Sequence, residues 1–170
     1  MTTDITPTTP SPSVLQRGEG PRHHFLGNLA TTKATAHGGS TLSAVEFLAP
    51  YGFGPPLHRH REEDELIVVL EGEVAFRSGD DETVATEGAT AFLPRRVAHT
   101  FQVLSEQARM LSITASTTGE PVFDRMVAAL GEPTTSSELP PPPDVDPDHV
   151  TAVNAEHGIE VLGPPPAPLV

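Results

Sequence analysis

The stretch Leu57-His58-Arg59-His60-Arg61-Glu62-Glu63-Asp64-Glu65 runs directly into the apolar segment Leu66-Ile67-Val68-Val69-Leu70. In extended chain, residues i and i+2 share a face, so His58 and His60 can address one ion while Arg59 points away. Glu65 follows five residues after His60. Imidazole and carboxylate together make a hard-to-borderline transition-metal site. A fourth candidate, His99, follows Pro94 in a second strand-like stretch that begins at Thr90.

Working outward, the chain from about His23 to Ser116 breaks into short apolar or alternating runs. These are Thr41 to Leu48, Glu65 to Leu70, Glu73 to Arg77, Glu82 to Thr86, Thr90 to Leu93, Thr100 to Leu104 and Arg109 to Thr114. Their length and their β-branched and aromatic content predict strands. Turn signals stand between them at Glu71-Gly72, Gly79-Asp80-Asp81, Glu87-Gly88 and Ser105-Glu106-Gln107. Such spacing predicts an all-β sandwich or barrel, closed or doubled so that few edges stay exposed.

After Gly119 the period changes. Val122, Phe123, Met126, Val127 and Leu130 recur at helical spacing before Gly131 and Pro133, which predicts a short amphipathic helix over 121–130. Pro140-Pro141-Pro142-Pro143 is a stiff extended connector. Asp146 as N-cap, Pro147 in the first turn and Gly158 as breaker predict a second helix over 147–157. Their apolar faces must pack either on the barrel or on a second subunit. The expected organisation is a disordered Thr-, Pro- and Ser-rich arm over 1–21, a barrel over 22–118 and an extension over 119–170.

Composition narrows the function classes. At 170 residues the chain suffices for one domain with a core. The absence of cysteine excludes disulfides and thiolate sites, so any metal must be held by nitrogen and oxygen. A net charge of -13 would repel nucleic acid and anionic lipid, so neither is expected as a partner. With no long apolar run and no leader-like start, the protein is expected to be soluble and cytoplasmic.

Gly52, His58, His60, Glu65 and Gly72 stand at the spacing G-x5-H-x-H-x4-E-x6-G, and Gly88, Pro94 and His99 follow G-x5-P-x4-H. Together they resemble the two motifs of the cupin superfamily, and within it the small bacterial single-barrel cupins similar to quercetin 2,3-dioxygenase. The resemblance runs from about Arg22 to Pro166 and implies a jelly-roll barrel, the cupin double-stranded β-helix, with two short C-terminal helices. It departs from the family at Arg96, where glycine is common, and at Val103, where asparagine is common.

The resemblance implies His58, His60, Glu65 and His99 as ligands of one divalent transition metal per chain: iron, manganese, nickel, cobalt, copper or zinc. Three neutral imidazoles and one carboxylate leave a net charge of about +1, and an octahedral ion keeps two positions for water, substrate or O2. The implied activity is a metal-dependent oxygenase that opens or oxidises a small aromatic, enolisable substrate with O2, Glu65 serving also as general base. That role asks for a pKa near the operating pH. Two alternatives use the same barrel: a Lewis-acid cyclase or isomerase acting on a polyketide-like substrate without O2, and a non-catalytic small-molecule binder. The resemblance further implies a homodimer.

Other residues carry blander expectations. Glu62, Glu63 and Asp64 read as a solvated acidic loop, with Asp64 the best candidate to touch the metal ligands. Arg95 and Arg96 read as an exposed turn that could steer anions. His23, His24 and His37 read as surface, and His149 and His157 as helix residues without chemistry. Phe47, Phe76, Phe92, Phe101, Ile67, Val69, Met110 and Leu111 read as core, a minority of them lining the pocket that the metal faces.

Overall fold

The computed structural model describes residues 12–35, 40–116, 118–119 and 122–167. Most of the expected N-terminal arm and His37 lie outside them. The part of the arm that is described holds a turn closed by Glu19 N–H to the Gln16 carbonyl, and Arg17 meets Glu71 at 2.9 Å.

Among the described residues there are twelve strands and two helices. The strands are β1 (Arg22–Phe25), β2 (Asn28–Ala34), β3 (Leu42–Pro50), β4 (His58–His60), β5 (Glu63–Glu71), β6 (Glu73–Ser78), β7 (Asp81–Thr86), β8 (Thr90–Leu93), β9 (Thr100–Val103), β10 (Gln107–Ser116), β11 (Glu132–Thr134) and β12 (Ile159–Val161). The helices are α1 (Phe123–Leu130) and α2 (Pro147–Glu156). Every strand expected from the sequence is present within a few residues. Among the described residues no helix is long and apolar enough to cross a membrane.

A large sheet runs in the order β11-β1-β2-β3-β10-β5-β8, and a smaller one in the order β7-β6-β9. β12 pairs with β4 in a third, two-stranded piece, and a bridge between His58 and His99 ties β4 to the run leading into β9. Alternation along β10 sends Ala108, Met110, Ser112 and Thr114 inward, and along β5 it sends Glu63, Glu65, Ile67 and Val69 inward. An apolar core of Ile67, Val69, Val74, Val103 and Met110 fills one part of the barrel.

The β1–β2 hairpin was not among the expected strands. Its two-residue turn, Leu26-Gly27, has positive φ at both positions (48° and 90°), the backbone that best matches strand twist in a tight hairpin. Gly72, between β5 and β6, has φ 89°, and a Cβ there would lie 2.6 Å from the Gln107 carbonyl oxygen. Glycine is required at that turn on both counts.

Helix α1 packs on the barrel: Phe123, Met126 and Val127 join Phe25, Val45, Phe47 and Ile159 in a second core cluster. The open choice between barrel and partner subunit is thus resolved for this face. Asp146 caps α2 as expected, accepting from the N–H groups of Asp148 and His149, and Gly158 follows the helix with φ 72°.

Candidate metal centre

His58 and His60 lie on β4 on either side of Arg59, whose guanidinium turns outward to Glu160 at 2.9 Å. Glu65 lies on the inward face of β5 and His99 just before β9. One donor atom from each of His58, His60, Glu65 and His99 falls within 4.8 Å of all the others; His60, Glu65 and His99 are buried and His58 is half-buried at the cavity. The four residues that the sequence singles out are brought to one point.

Hydrogen bonds at the far side of each ring set which nitrogen faces that point. His58 Nδ1 donates to the Pro56 carbonyl at 2.8 Å and His99 Nδ1 to the Val97 carbonyl at 2.9 Å. A carbonyl only accepts, so the proton sits on Nδ1 and the Nε2 lone pair is left free for a cation. His60 Nδ1 lies 3.3 Å from Glu63 Oε2.

The Nε2 atoms of His60 and His99 are buried without a hydrogen-bond partner, 3.6 and 3.4 Å from Glu65 Oε2. With the rings neutral, these are acceptors facing an acceptor, a repulsion that either a proton or a metal ion among them relieves. The arrangement fits a divalent transition metal, held by hard and borderline donors.

Protonation follows from the same packing. Burial, with the fields of His99 and His60, lowers the His58 pKa to about 4, so this ring is neutral across the physiological range. For His60, burial acts downward but is outweighed by the Glu63 hydrogen bond and the charges of Glu65 and Glu63, and the pKa rises. For Glu65, burial acts upward, yet the adjacent His99, the field of His60 and the Ser112 hydroxyl bring the carboxyl down to about 2. Ser112 Oγ donates to Glu65 Oε1 at 2.6 Å. A raised His60 pKa means that an incoming metal competes with a proton there, so metal affinity should climb as pH rises through that pKa. Calorimetric titration in buffers of different ionisation enthalpy should show proton release on metal binding that shrinks as the pH is raised. Proton release that does not change with pH would show that His60 is not the protonated ligand.

Several expectations are corrected by the structure. Glu63, read as a solvated loop residue, is only 4% exposed and takes the place at the metal ligands that had been expected of Asp64. Asp64 points the other way, where Arg95 grips it with Nε at 3.1 Å, Nη2 at 2.8 Å and its backbone N–H at 2.9 Å. Arg95 is therefore a clamp between β5 and the turn after β8. Phe92, read as core, is 64% exposed, because the pairing of Leu93 with inward-facing Glu65 turns its neighbour outward.

Arg96 has φ 66°, so the turn does take the backbone that glycine prefers, and its guanidinium rests on Glu62 and the Arg61 carbonyl. His23 and His24 are half-buried on β1 rather than on open surface, and they are not part of the ligand cluster.

The ligand set opens on a cavity of about 60 Å³ lined by His58, Glu65, His99 and Ser112 and by Asn28, Phe25, Phe47, Phe53, Pro55, Ile67, Phe101, Met110 and Phe123. Phe53 and Pro55 also border a wider apolar cleft of about 530 Å³, walled by Pro164 and Pro165 of the C-terminal segment and by Val150 of α2. The extension therefore lies beside the cavity, and β12 pairs directly with the histidine-bearing strand: Ile159 opposite His60 and Val161 opposite His58.

Residues 44–114 match the family model described as Cupin domain. The chain is similar to Quercetin 2,3-dioxygenase of Bacillus subtilis (strain 168), 26% identical over 142 residues, covering 83% of this chain and 41% of that protein. It thus spans well under half of that relative's length. Among solved structures it is similar to KdgF from Halomonas sp., with a TM-score of 0.56 at 14% identity, covering 63% of this chain and 94% of that one. It is also similar to a cupin superfamily sugar phosphate isomerase from Silicibacter pomeroyi, with a TM-score of 0.48 at 23% identity over 54% of this chain and 60% of that one. The likeness to KdgF establishes the shared jelly-roll fold.

Proposed function

We propose that this chain, whose residues 44–114 match the Cupin domain model, is a metal-dependent oxygenase that uses O2 to open or oxidise a small aromatic, enolisable substrate of the flavonol kind. The observation that carries the reading is the convergence of three histidines and Glu65, facing a cavity whose walls are mostly apolar and rich in phenylalanine. The similarity to a quercetin dioxygenase supports the substrate class.

His58, His60, His99 and Glu65 would hold one divalent ion. A redox-active ion in this donor set would supply charge stabilisation for a deprotonated hydroxyl and electron transfer toward O2. The chain itself does the rest. Phe25, Phe47, Phe101 and Phe123 keep water from the substrate edge that meets the ligands, and the rest of its ring system would lie in the adjoining apolar cleft bordered by Phe53 and Pro55. Ser112 fixes Glu65 Oε1, so that the other oxygen is held toward the ligand cluster. Glu65 takes the hydroxyl proton. With its carboxyl held down at about 2, it is a weaker base than the sequence reading asked for, and the transfer needs a hydroxyl whose acidity is itself raised in the site.

The test is oxygen uptake by protein of measured metal content against a panel of flavonols. Uptake should track bound metal and vanish with the metal in His99→Ala. Glu65→Gln, where metal can be reloaded, should lower turnover by about 10²–10⁴-fold. Turnover unchanged in that variant would remove Glu65 from the proton transfer. One metal per chain with no uptake would move the assignment to a Lewis-acid cyclase or isomerase, and no metal at all would leave a small-molecule binder.

A further inference from the structure

We infer that Asn28 is the second recognition point of the cavity, a carboxamide that hydrogen-bonds a hydroxyl or carbonyl at the part of the substrate away from the metal ligands. The inference rests on the reading of this cavity as the substrate site. Asn28 is 1% exposed, lines the cavity, and has no hydrogen-bond partner at either Nδ2 or Oδ1. A buried amide left without partners is costly, and native proteins seldom keep one without a ligand, ion or water to satisfy it.

The other polar side chains in the lining are already committed. Ser112 donates to Glu65, and His58 and His99 are each held at Nδ1 by a carbonyl with the opposite nitrogen turned to the ligand cluster. Asn28 alone combines an unengaged donor and an unengaged acceptor among the described lining residues. Its position is also stiff. It opens β2 directly after the Leu26-Gly27 turn and pairs across the hairpin with Phe25, which packs on Phe47 at 5.9 Å between ring centroids. A rigid amide on an aromatic wall suits a flat molecule that presents an oxygen to Glu65 and the histidines and carries a further polar substituent on its ring system. At about 60 Å³ the cavity has room for a few waters, which would solvate Asn28 until such a substituent displaces them.

The experiment uses metal-loaded protein under anaerobic conditions, with flavonol and its polyhydroxylated analogue quercetin as probes, in the wild type, Asn28→Leu and Asn28→Asp. Leucine matches the volume without hydrogen bonds, and aspartate keeps the shape while removing the donors. Both variants should retain metal at the wild-type ratio. Quercetin affinity should fall by about 10–100-fold, while flavonol affinity changes by less than about threefold. Without ligand, Asn28→Leu should melt at or above the wild-type temperature, since it removes a buried amide that nothing in the protein satisfies.

Unchanged quercetin affinity would overturn the inference, as would a Tm several degrees lower in Asn28→Leu, which would make Asn28 a structural residue. If leucine prevents folding, Asn28→Asp decides by the same two affinities. Failure of the flavonol reading has a separate signature: neither probe binds the wild type. Asn28 is then judged by the melting temperature of Asn28→Leu alone, a rise supporting a ligand-facing role and a fall overturning it.

Discussion

Glu63→Ala is expected to cost about 3–5 kcal/mol of stability, because it removes one member of a buried, charged hydrogen-bond network and strands the others. The carboxylate joins two elements. Oε2 lies 3.3 Å from His60 Nδ1, and Oε1 accepts from the backbone N–H groups of Val122 at 2.7 Å and Phe123 at 3.4 Å. Those N–H groups begin α1, whose own N-cap position, Val122, offers no side-chain hydrogen bond. Glu63 thus caps the helix from another strand and places a negative charge where the helix dipole favours it. Alanine would leave the His60 Nδ1–H and two helix N–H groups buried and unmatched. For a chain of this size the melting temperature should drop by roughly 10 °C. Metal affinity should weaken by about 10–100-fold, since the ring of His60 loses the partner that orients it. Glu63→Gln should fall between the two proteins, because its amide can accept from the helix but no longer stabilises a charged His60. Thermal melts and metal titrations that coincide with wild type would sever the proposed link between helix and ligand.

What the sequence reveals here follows strand parity, and what it conceals depends on pairings between distant segments. His58, His60 and Glu65 are legible because a two-residue period decides which side chains share a face. The same parity could have found Glu63: if Glu65 points inward on a strand, so does the residue two before it, and Asp64 must point out. Three adjacent carboxylates instead looked like solvent-facing charge. Phe92 was misplaced for a related reason. Its run of four apolar and polar residues has no alternation to show its inner face, and only the register against β5 sets it. Asn28 sits behind a hairpin whose first strand, Arg22-His23-His24-Phe25, has no strand-like apolar pattern. The pairing of β12 with β4 joins the far end of the chain to its metal-ligand motif, and no local pattern announces it.

That pairing has a large expected consequence. Removing the chain from Gly158 onward should abolish stable metal binding and lower the melting temperature by more than any single substitution discussed above. β4 is three residues long, and β12 is the strand that pairs with it in their two-stranded sheet. Beyond the ladder itself, Arg61 N–H donates to the Gly158 carbonyl, Leu57 N–H to the Pro164 carbonyl, and Leu162 and Gly163 N–H to the Leu57 carbonyl. Buried Gln102 donates to the Ala167 carbonyl at 2.8 Å. Each pairing holds the strand carrying His58 and His60, or the neighbouring β9, from the outside. Ile159, 2% exposed, also fills the cluster shared by Phe25, Phe47 and α1, and losing a buried aliphatic of that size costs about 2–5 kcal/mol by itself. The family model ends at residue 114, well before this segment, so the centre depends on chain that lies outside the matched region. A milder pair of variants separates packing from pairing. Ile159→Ala should destabilise the fold while metal still binds at one per chain, whereas Glu160→Pro should remove the β12 N–H at that position and weaken metal affinity more than stability. Metal retained at wild-type affinity after deletion from Gly158 would mean that β4 holds its histidines without β12, and that the C-terminal extension serves the cavity and not the ligands.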